Sequence, residues 1–231
     1  MPPARGAALA ARLSPSRREA LAPEGRALLA RLGERAWSAD FYLAGGAALA
    51  LYLAHRTVAG LDLMSLANRL TPQNRRDLLG DLLEMAPGAR VHTARDGYLA
   101  LELPGALALR FYYYPYPLVE PFGGAGLAVA SPLDLGLMKL GAIISRGSKR
   151  DFVDLYMLCR ELPLALLLER APEKFGHVGD FALQAMKGLA DTGAAAGEPM
   201  PALALDLDWA EVESWISREV ESAGRELLRA P

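Results

Sequence analysis

Two stretches of the sequence carry side chains able to do chemistry. The first is Phe41-Tyr-Leu-Ala-Gly-Gly-Ala-Ala-Leu-Ala-Leu-Tyr-Leu-Ala-His-Arg56, followed by Leu61-Asp62-Leu63. It sets a glycine pair between a β-prone run and a helical run. With no side chains at Gly45 and Gly46, a phosphate can approach the backbone, and the helix start offers unpaired N–H groups and positive potential. A carboxylate on the next strand, Asp62, would hold a divalent metal against those phosphates. The same glycines also make an ordinary tight strand-to-helix turn, and for an isolated Gly-Gly that use is the commoner one.

The second stretch runs from Ser131-Pro-Leu-Asp134 through Lys139, Arg146 and Ser148-Lys149-Arg150-Asp151 to Asp154-Leu-Tyr156. Leu133, Leu137, Met138, Leu140, Ile143 and Ile144 make its first helix apolar on most of its circumference. Lys139 is that helix's only internal cation, in a chain with four lysines. A lysine on such a helix is costly unless a partner or ligand anion meets it, or its stem carries the charge out to water. Lys139 and Arg146 are seven apart and share a face; Asp151 and Asp154 are three apart and share a face of the next helix. Taken locally, Asp151 also suits a helix-capping acid and Asp154 an i,i+4 partner of Arg150.

The elements that must position these groups follow from local signals. Pro23 and Glu24 start a helix in which Ala27, Leu28, Leu29, Leu32 and Ala36 recur at spacings of three and four. Phe41–Ala44 and Leu61–Met64 read as short strands around a helix from Ala47 to His55. Thr71-Pro72 opens a helix to about Met85. Gly97 to Leu103 and Ala106 to Tyr114 flank Pro104-Gly105 and form a hairpin, and Leu127 to Ala130 reads as one more short strand. Beyond Pro132 the sequence is helical: 132–145, 149–161, 164–170, 181–190 and 209–228, with Trp209, Val212, Trp215, Ile216 and Val220 on one face of the last. The expected class is α+β: a loosely ordered segment over 1–22, an α/β core over 23–130, and a helical part over 131–231 packed on that core.

Composition narrows the functions. The 231 residues carry 25 Lys+Arg against 27 Asp+Glu, which argues against whole-molecule electrostatic capture of nucleic acid and leaves a local basic patch open. One cysteine, Cys159, excludes an internal disulfide and a Cys-rich zinc site. His55, His92 and His177 have no metal-ligand spacing. The longest apolar run, Phe41 to Ala54, is too short for a bilayer span. A soluble cytoplasmic protein with no membrane contact is expected.

Together the two stretches resemble the AbiEii/AbiGii-type nucleotidyltransferase toxins. The first is similar to that family's F-x-L-x-G-G-T-A-L-A-L…H-R-x-S-x-D-L-D-F motif and the second to its D-L…K…A…R-G…R-D-x-x-D-L segment. Phe111-Tyr-Tyr-Tyr-Pro-Tyr-Pro117 and Glu198-Pro-Met-Pro201 also look like parts of its members. The resemblance covers about residues 25–220. It implies a nucleotidyltransferase fold, in which a small mixed sheet flanked by helices is followed by a helical C-terminal part. It also implies the toxin half of a bacterial type IV toxin–antitoxin pair. The implied reaction moves a nucleotide from an NTP, with Mg2+, to an RNA such as tRNA or to a protein acceptor; an antitoxin is the implied partner.

Carried onto this chain, Gly45 and Gly46 would touch the nucleotide phosphates, with Arg56 and Arg146 as further phosphate contacts. Asp62 would bind Mg2+, Lys139 would contact phosphate, and Asp151 or Asp154 would complete the catalytic set. The chain departs from the motif at three positions: the first metal aspartate is Gly60, the serine is Val58 and the threonine is Ala47. One strand aspartate cannot clamp two metals. Weakened transfer activity is therefore expected, or else a catalytically inactive module that binds nucleotide, RNA or an antitoxin through the same cleft. On the weakened-enzyme reading, Gly60→Asp should create a metal pair and a Mg2+-dependent response to NTP, since positions 60 and 62 face the same side of a strand; no such response is the outcome expected of the binding module.

Overall fold

The computed structural model describes residues 14–121 and 126–227. The chain divides into two compact units, Ser14–Ser131 and the part from Pro132 onward.

The first unit is built on one mixed six-stranded sheet. Its strands are β1 (Tyr42–Ala44), β2 (Gly60–Ser65), β3 (Arg90–Arg95), β4 (Tyr98–Leu103), β5 (Leu107–Tyr113) and β6 (Ala128–Val129), in the order β3-β4-β5-β2-β1-β6. β2 runs parallel to β5 and antiparallel to β1; β3, β4 and β5 form an antiparallel meander. The helices are α1 (Pro23–Gly33), α2 (Gly45–Leu53) and α3 (Pro72–Met85). Alternation decides which side chains fill the core. Leu61, Leu63, Leu99, Leu101, Leu109 and Phe111 are all buried, as are Leu28 and Leu32 of α1 and Leu78 and Leu82 of α3. Each such side chain contributes roughly 1.5–3 kcal/mol by leaving water. Trp37, Phe41 and Phe111 add three edge-to-face ring contacts with centroids 5.2–6.1 Å apart. Gly60, Asp62, Arg110 and Tyr112 occupy the alternate, half-buried positions.

Several local expectations need correction. The 1–22 segment was expected to be loosely ordered; residues 1–13 lie outside the described residues, but 14–22 are held. Arg18–Ala20 form a 3-10 turn and Leu21 bridges Val58. α2 starts at Gly45 itself, two residues earlier than its apolar pattern suggests. Thr71 stands at the N-cap of α3 but makes no side-chain cap bond. β3 is absent from the sequence reading because it is an exposed edge strand with no apolar alternation. Its signal was the Asp96-Gly97 dipeptide, a two-residue hairpin turn with Gly97 at φ +71°.

The second unit consists of α4 (Pro132–Ser145), α5 (Lys149–Cys159), α6 (Leu164–Phe175), α7 (Phe181–Ala190), a short turn of helix at Gly193–Ala196, and α8 (Trp209–Leu227). α4 is central. A Cβ on Gly136 would sit 2.7–2.9 Å from the side chains of Leu158 and Leu167, so this glycine sets how closely α5 and α6 approach. The apolar face of α8 buries Val212 and Ile216, and Trp209 and Trp215 meet Phe152 and Tyr156 edge-on. The 191–201 stretch, rich in Gly, Ala and Pro, is tied down. Glu198 accepts a bond from the backbone N–H of Lys149 at the start of α5 (2.9 Å), and the Lys149 ammonium donates to the Ala196 carbonyl (3.0 Å). Among the described residues, no helix is long and apolar enough to cross a membrane.

Candidate functional site

Asp62 lies in mid-strand on β2, and its neighbours are fixed by register. Across the antiparallel pair it faces Ala44, the last residue before Gly45; across the parallel pair it faces Arg110 of β5. Both contacts are used. Arg110 Nε donates to Asp62 Oδ1 at 2.5 Å. A Cβ on Gly45 would lie 2.7 Å from Asp62 Oδ2, and Gly45 has φ +63°, so only glycine gives the carboxylate this place against the backbone. Oδ2 thus rests at the N-terminus of α2, where the helix dipole favours a negative charge. Gly46 serves a second side chain: a Cβ there would collide with the guanidinium of Arg56, which is itself buried.

The glycine pair therefore admits two groups of the chain itself, an aspartate at Gly45 and an arginine at Gly46. Gly45, Gly46, Arg56 and Asp62 are brought together as expected from the sequence. Arg110 was missed. Its only sequence signal is a lone charge in the apolar run Leu107-Ala-Leu-Arg-Phe111, and it lies 48 residues from Asp62. Burial, the largest single influence, would lower the pKa of Arg110, but the Asp62 charge and hydrogen bond, together with Tyr112 and Tyr98, override it and raise it. Beyond Arg110, the Tyr112 ring packs against Tyr98 in a tilted arrangement, centroids 4.9 Å apart; burial and the Asp62 charge push the Tyr112 hydroxyl pKa up. Arg95 lies over the other ring of this pair, 5.3 Å from the Tyr98 centroid.

This donor set does not fit the metal that the resemblance implies. Asp62 is the one carboxylate offered by the two strands at this point, one of its oxygens is bound to a guanidinium, and Gly60 supplies no ligand. Among the described residues, no three His, Cys, Asp or Glu side chains are grouped to hold a metal ion.

In the second unit, Lys139, Arg146, Asp151 and Asp154 form one ion cluster. Lys139 Nζ lies 3.0 Å from Asp151 Oδ1 and 2.6 Å from Asp154 Oδ2. Arg146 donates to both oxygens of Asp151 (2.7 and 2.9 Å), and the Ser148 hydroxyl adds a third donor at 2.6 Å. Lys139 does not snorkel: its side chain is 8% exposed and the two aspartates are fully buried. Burial by itself would raise the Asp151 pKa. The Arg146 hydrogen bonds, the Lys139 charge and the Ser148 bond override that and hold the carboxyl well below the usual carboxylate range. Asp154, read from the sequence as an i,i+4 partner of Arg150, is in contact with Lys139. Asp134, in the first turn of α4, is wholly buried and accepts from Lys174 Nζ at 2.8 Å, a pair that sequence reasoning missed.

No family model matches the chain. The uncharacterized protein aq_aa25 of Aquifex aeolicus (strain VF5) is 32% identical over 125 residues, which is 53% of this chain and 59% of that protein. The chain thus spans under two thirds of the length of this relative. Among solved structures, it is similar to MenT4, a nucleotidyltransferase toxin from Mycobacterium tuberculosis H37Rv, at TM-score 0.47 and 15% identity, over 84% of this chain and 87% of that one. It is similar to JHP933 from Helicobacter pylori at TM-score 0.44 and 15% identity (87% and 96%). It is similar to the Megavirus polyadenylate synthase at TM-score 0.43 and 15% identity, covering 61% of this chain and 32% of that one.

Proposed function

We propose that this chain is a nucleotidyltransferase-fold protein of the AbiEii-like type. Its first unit binds a phosphate-bearing nucleotide and no longer performs metal-assisted transfer. One observation carries this reading: the carboxylate that should hold the metal is paired with Arg110, and Gly60 stands where its partner acid is needed. In-line phosphoryl transfer requires charge neutralisation by convergent carboxylates and metal. The remaining parts suit binding. A helix N-terminus begins at Gly45-Gly46, and Arg56 and Arg110 bring two cations beside it, a combination that attracts phosphate. The paired Tyr98 and Tyr112 rings lie on the same stretch of sheet.

The test is incubation with each labelled NTP, Mg2+ or Mn2+ and total tRNA, alongside calorimetric titration with the same nucleotides. Binding without label transfer is the expected result. Transfer abolished by Asp62→Ala would overturn this reading. It would establish the second one: an active toxin that modifies an RNA or protein acceptor and is held in check by an antitoxin. The Lys139–Arg146–Asp151–Asp154 cluster is the observation that favours that alternative, because it keeps four charged residues of the resembling segment joined by ion pairs.

A further inference from the structure

We infer that Arg110 is the resident cation of the Asp62 site: its guanidinium takes the electrostatic place of a divalent metal, so the site accepts a phosphate ligand as the metal-free anion. The inference deepens the nucleotide-binding reading and rests on it. Three observations lead to it. Arg110 is the register partner of Asp62 on the neighbouring strand, so both side chains leave the sheet on the same face. Its Nε is bound to Asp62 Oδ1 at 2.5 Å, which neutralises the carboxylate that would otherwise recruit a cation. Its Nη2 lies 3.7 Å from where a Cβ on Gly60 would be, so the guanidinium spans positions 62 and 60, the two places from which a metal would need carboxylates. The Arg110 side chain is 37% exposed, so its outer N–H groups remain open to a ligand. A guanidinium presents several donors in one plane, which suits bidentate contact to phosphate.

The geometry also changes what Gly60→Asp should do. Gly60 does not have positive φ, so the backbone accepts aspartate, although its Cβ would press on Ala108 at 3.2 Å. The new carboxylate would find Arg110 before it found a metal. Gly60→Asp alone should therefore remain blind to Mn2+, and metal binding should need Arg110 removed as well.

Two measurements on the full chain test this. In the first, Mn2+ alone is titrated by electron paramagnetic resonance into wild type, Gly60→Asp and the double variant Gly60→Asp/Arg110→Ala. Only the double variant should bind, at least about tenfold more tightly than the others. In the second, ATP is titrated calorimetrically in EDTA and in Mg2+. Wild type should bind in EDTA, and Arg110→Ala should lose about tenfold or more there, with Arg110→Lys intermediate. Mn2+ binding by wild type or by Gly60→Asp, ATP binding by wild type that requires Mg2+, or full affinity in Arg110→Ala would each overturn the assignment. If the double variant folds, by circular dichroism, yet binds no Mn2+, the role of Arg110 as metal substitute also falls. ATP bound by no form, with the Mn2+ results as expected, would overturn the nucleotide reading and leave Arg110 as the cation of the Asp62 site.

Discussion

The molecule holds two arrangements of opposite charges, and they are built to different standards. At Asp62 a single aspartate meets a single arginine on a half-open sheet face, with side-chain exposures of 18% and 37%. In the second unit two fully buried aspartates share one lysine, and one of them accepts three further hydrogen bonds. Solvent sets the standard. A charge that keeps contact with water tolerates one partner, whereas a buried charge must have its hydrogen-bonding capacity filled or be neutralised. The lean site keeps its charges in reach of solvent; the crowded one is a brace that locks α4 to α5. Residues of one resembling motif set are thus answered differently: the Lys139 cluster is closed by its own buried ion pairs, while Asp62 meets an arginine at a half-open face.

The largest expected effect comes from breaking the brace. Lys139→Met leaves Asp151 and Asp154 buried without their shared cation and should cost about 3–5 kcal/mol in denaturant unfolding. A loss under about 1 kcal/mol would show that the two clusters do not differ in the way their burial implies. Asp151→Asn sharpens the same point through pH and should cost roughly 2–3 kcal/mol at neutral pH. The folded Asp151 pKa is depressed, so its stabilisation is present above the unfolded value near 4 and is lost as pH falls through the folded value. Wild type should therefore lose stability between about pH 4 and pH 2 more steeply than Asp151→Asn; parallel acid unfolding curves would remove the assigned role.

Smaller effects belong to the sheet site. Gly45→Ala forces a side chain into a left-handed backbone and against Asp62 Oδ2, at a cost of about 1–2 kcal/mol. By displacing the carboxylate it should also alter nucleotide binding, read by the same calorimetry. Arg110→Ala should change stability least, by less than about 1 kcal/mol, because its ion pair is partly screened by water. A large stability loss there, comparable with Lys139→Met, would erase the contrast between site and brace.

Much of this was legible in the chain. The proline and glycine punctuation around residues 23, 72, 132 and 147 located helices that the structure bears out, and the Gly45-Gly46 turn located Asp62 beside it. β3 was missed because an exposed edge strand leaves no hydrophobic alternation to read, although Asp96-Gly97 marked its turn. Lys139 could be recognised as an anomaly on an apolar helix, but spacing left open whether water, a ligand or an aspartate answers it.

By itself the sequence determined the elements, the glycine turn and the absence of a carboxylate at position 60, because these depend on residue type and on spacings within about a helical turn. Tertiary structure alone decided the partners. Arg110 reaches Asp62 across 48 residues and Lys174 reaches Asp134 across 40, and neither pairing follows from a local pattern. Strand register and helix packing set those contacts, and a shift of one residue along β5 would have turned Arg110 to the opposite face and left Asp62 without its cation.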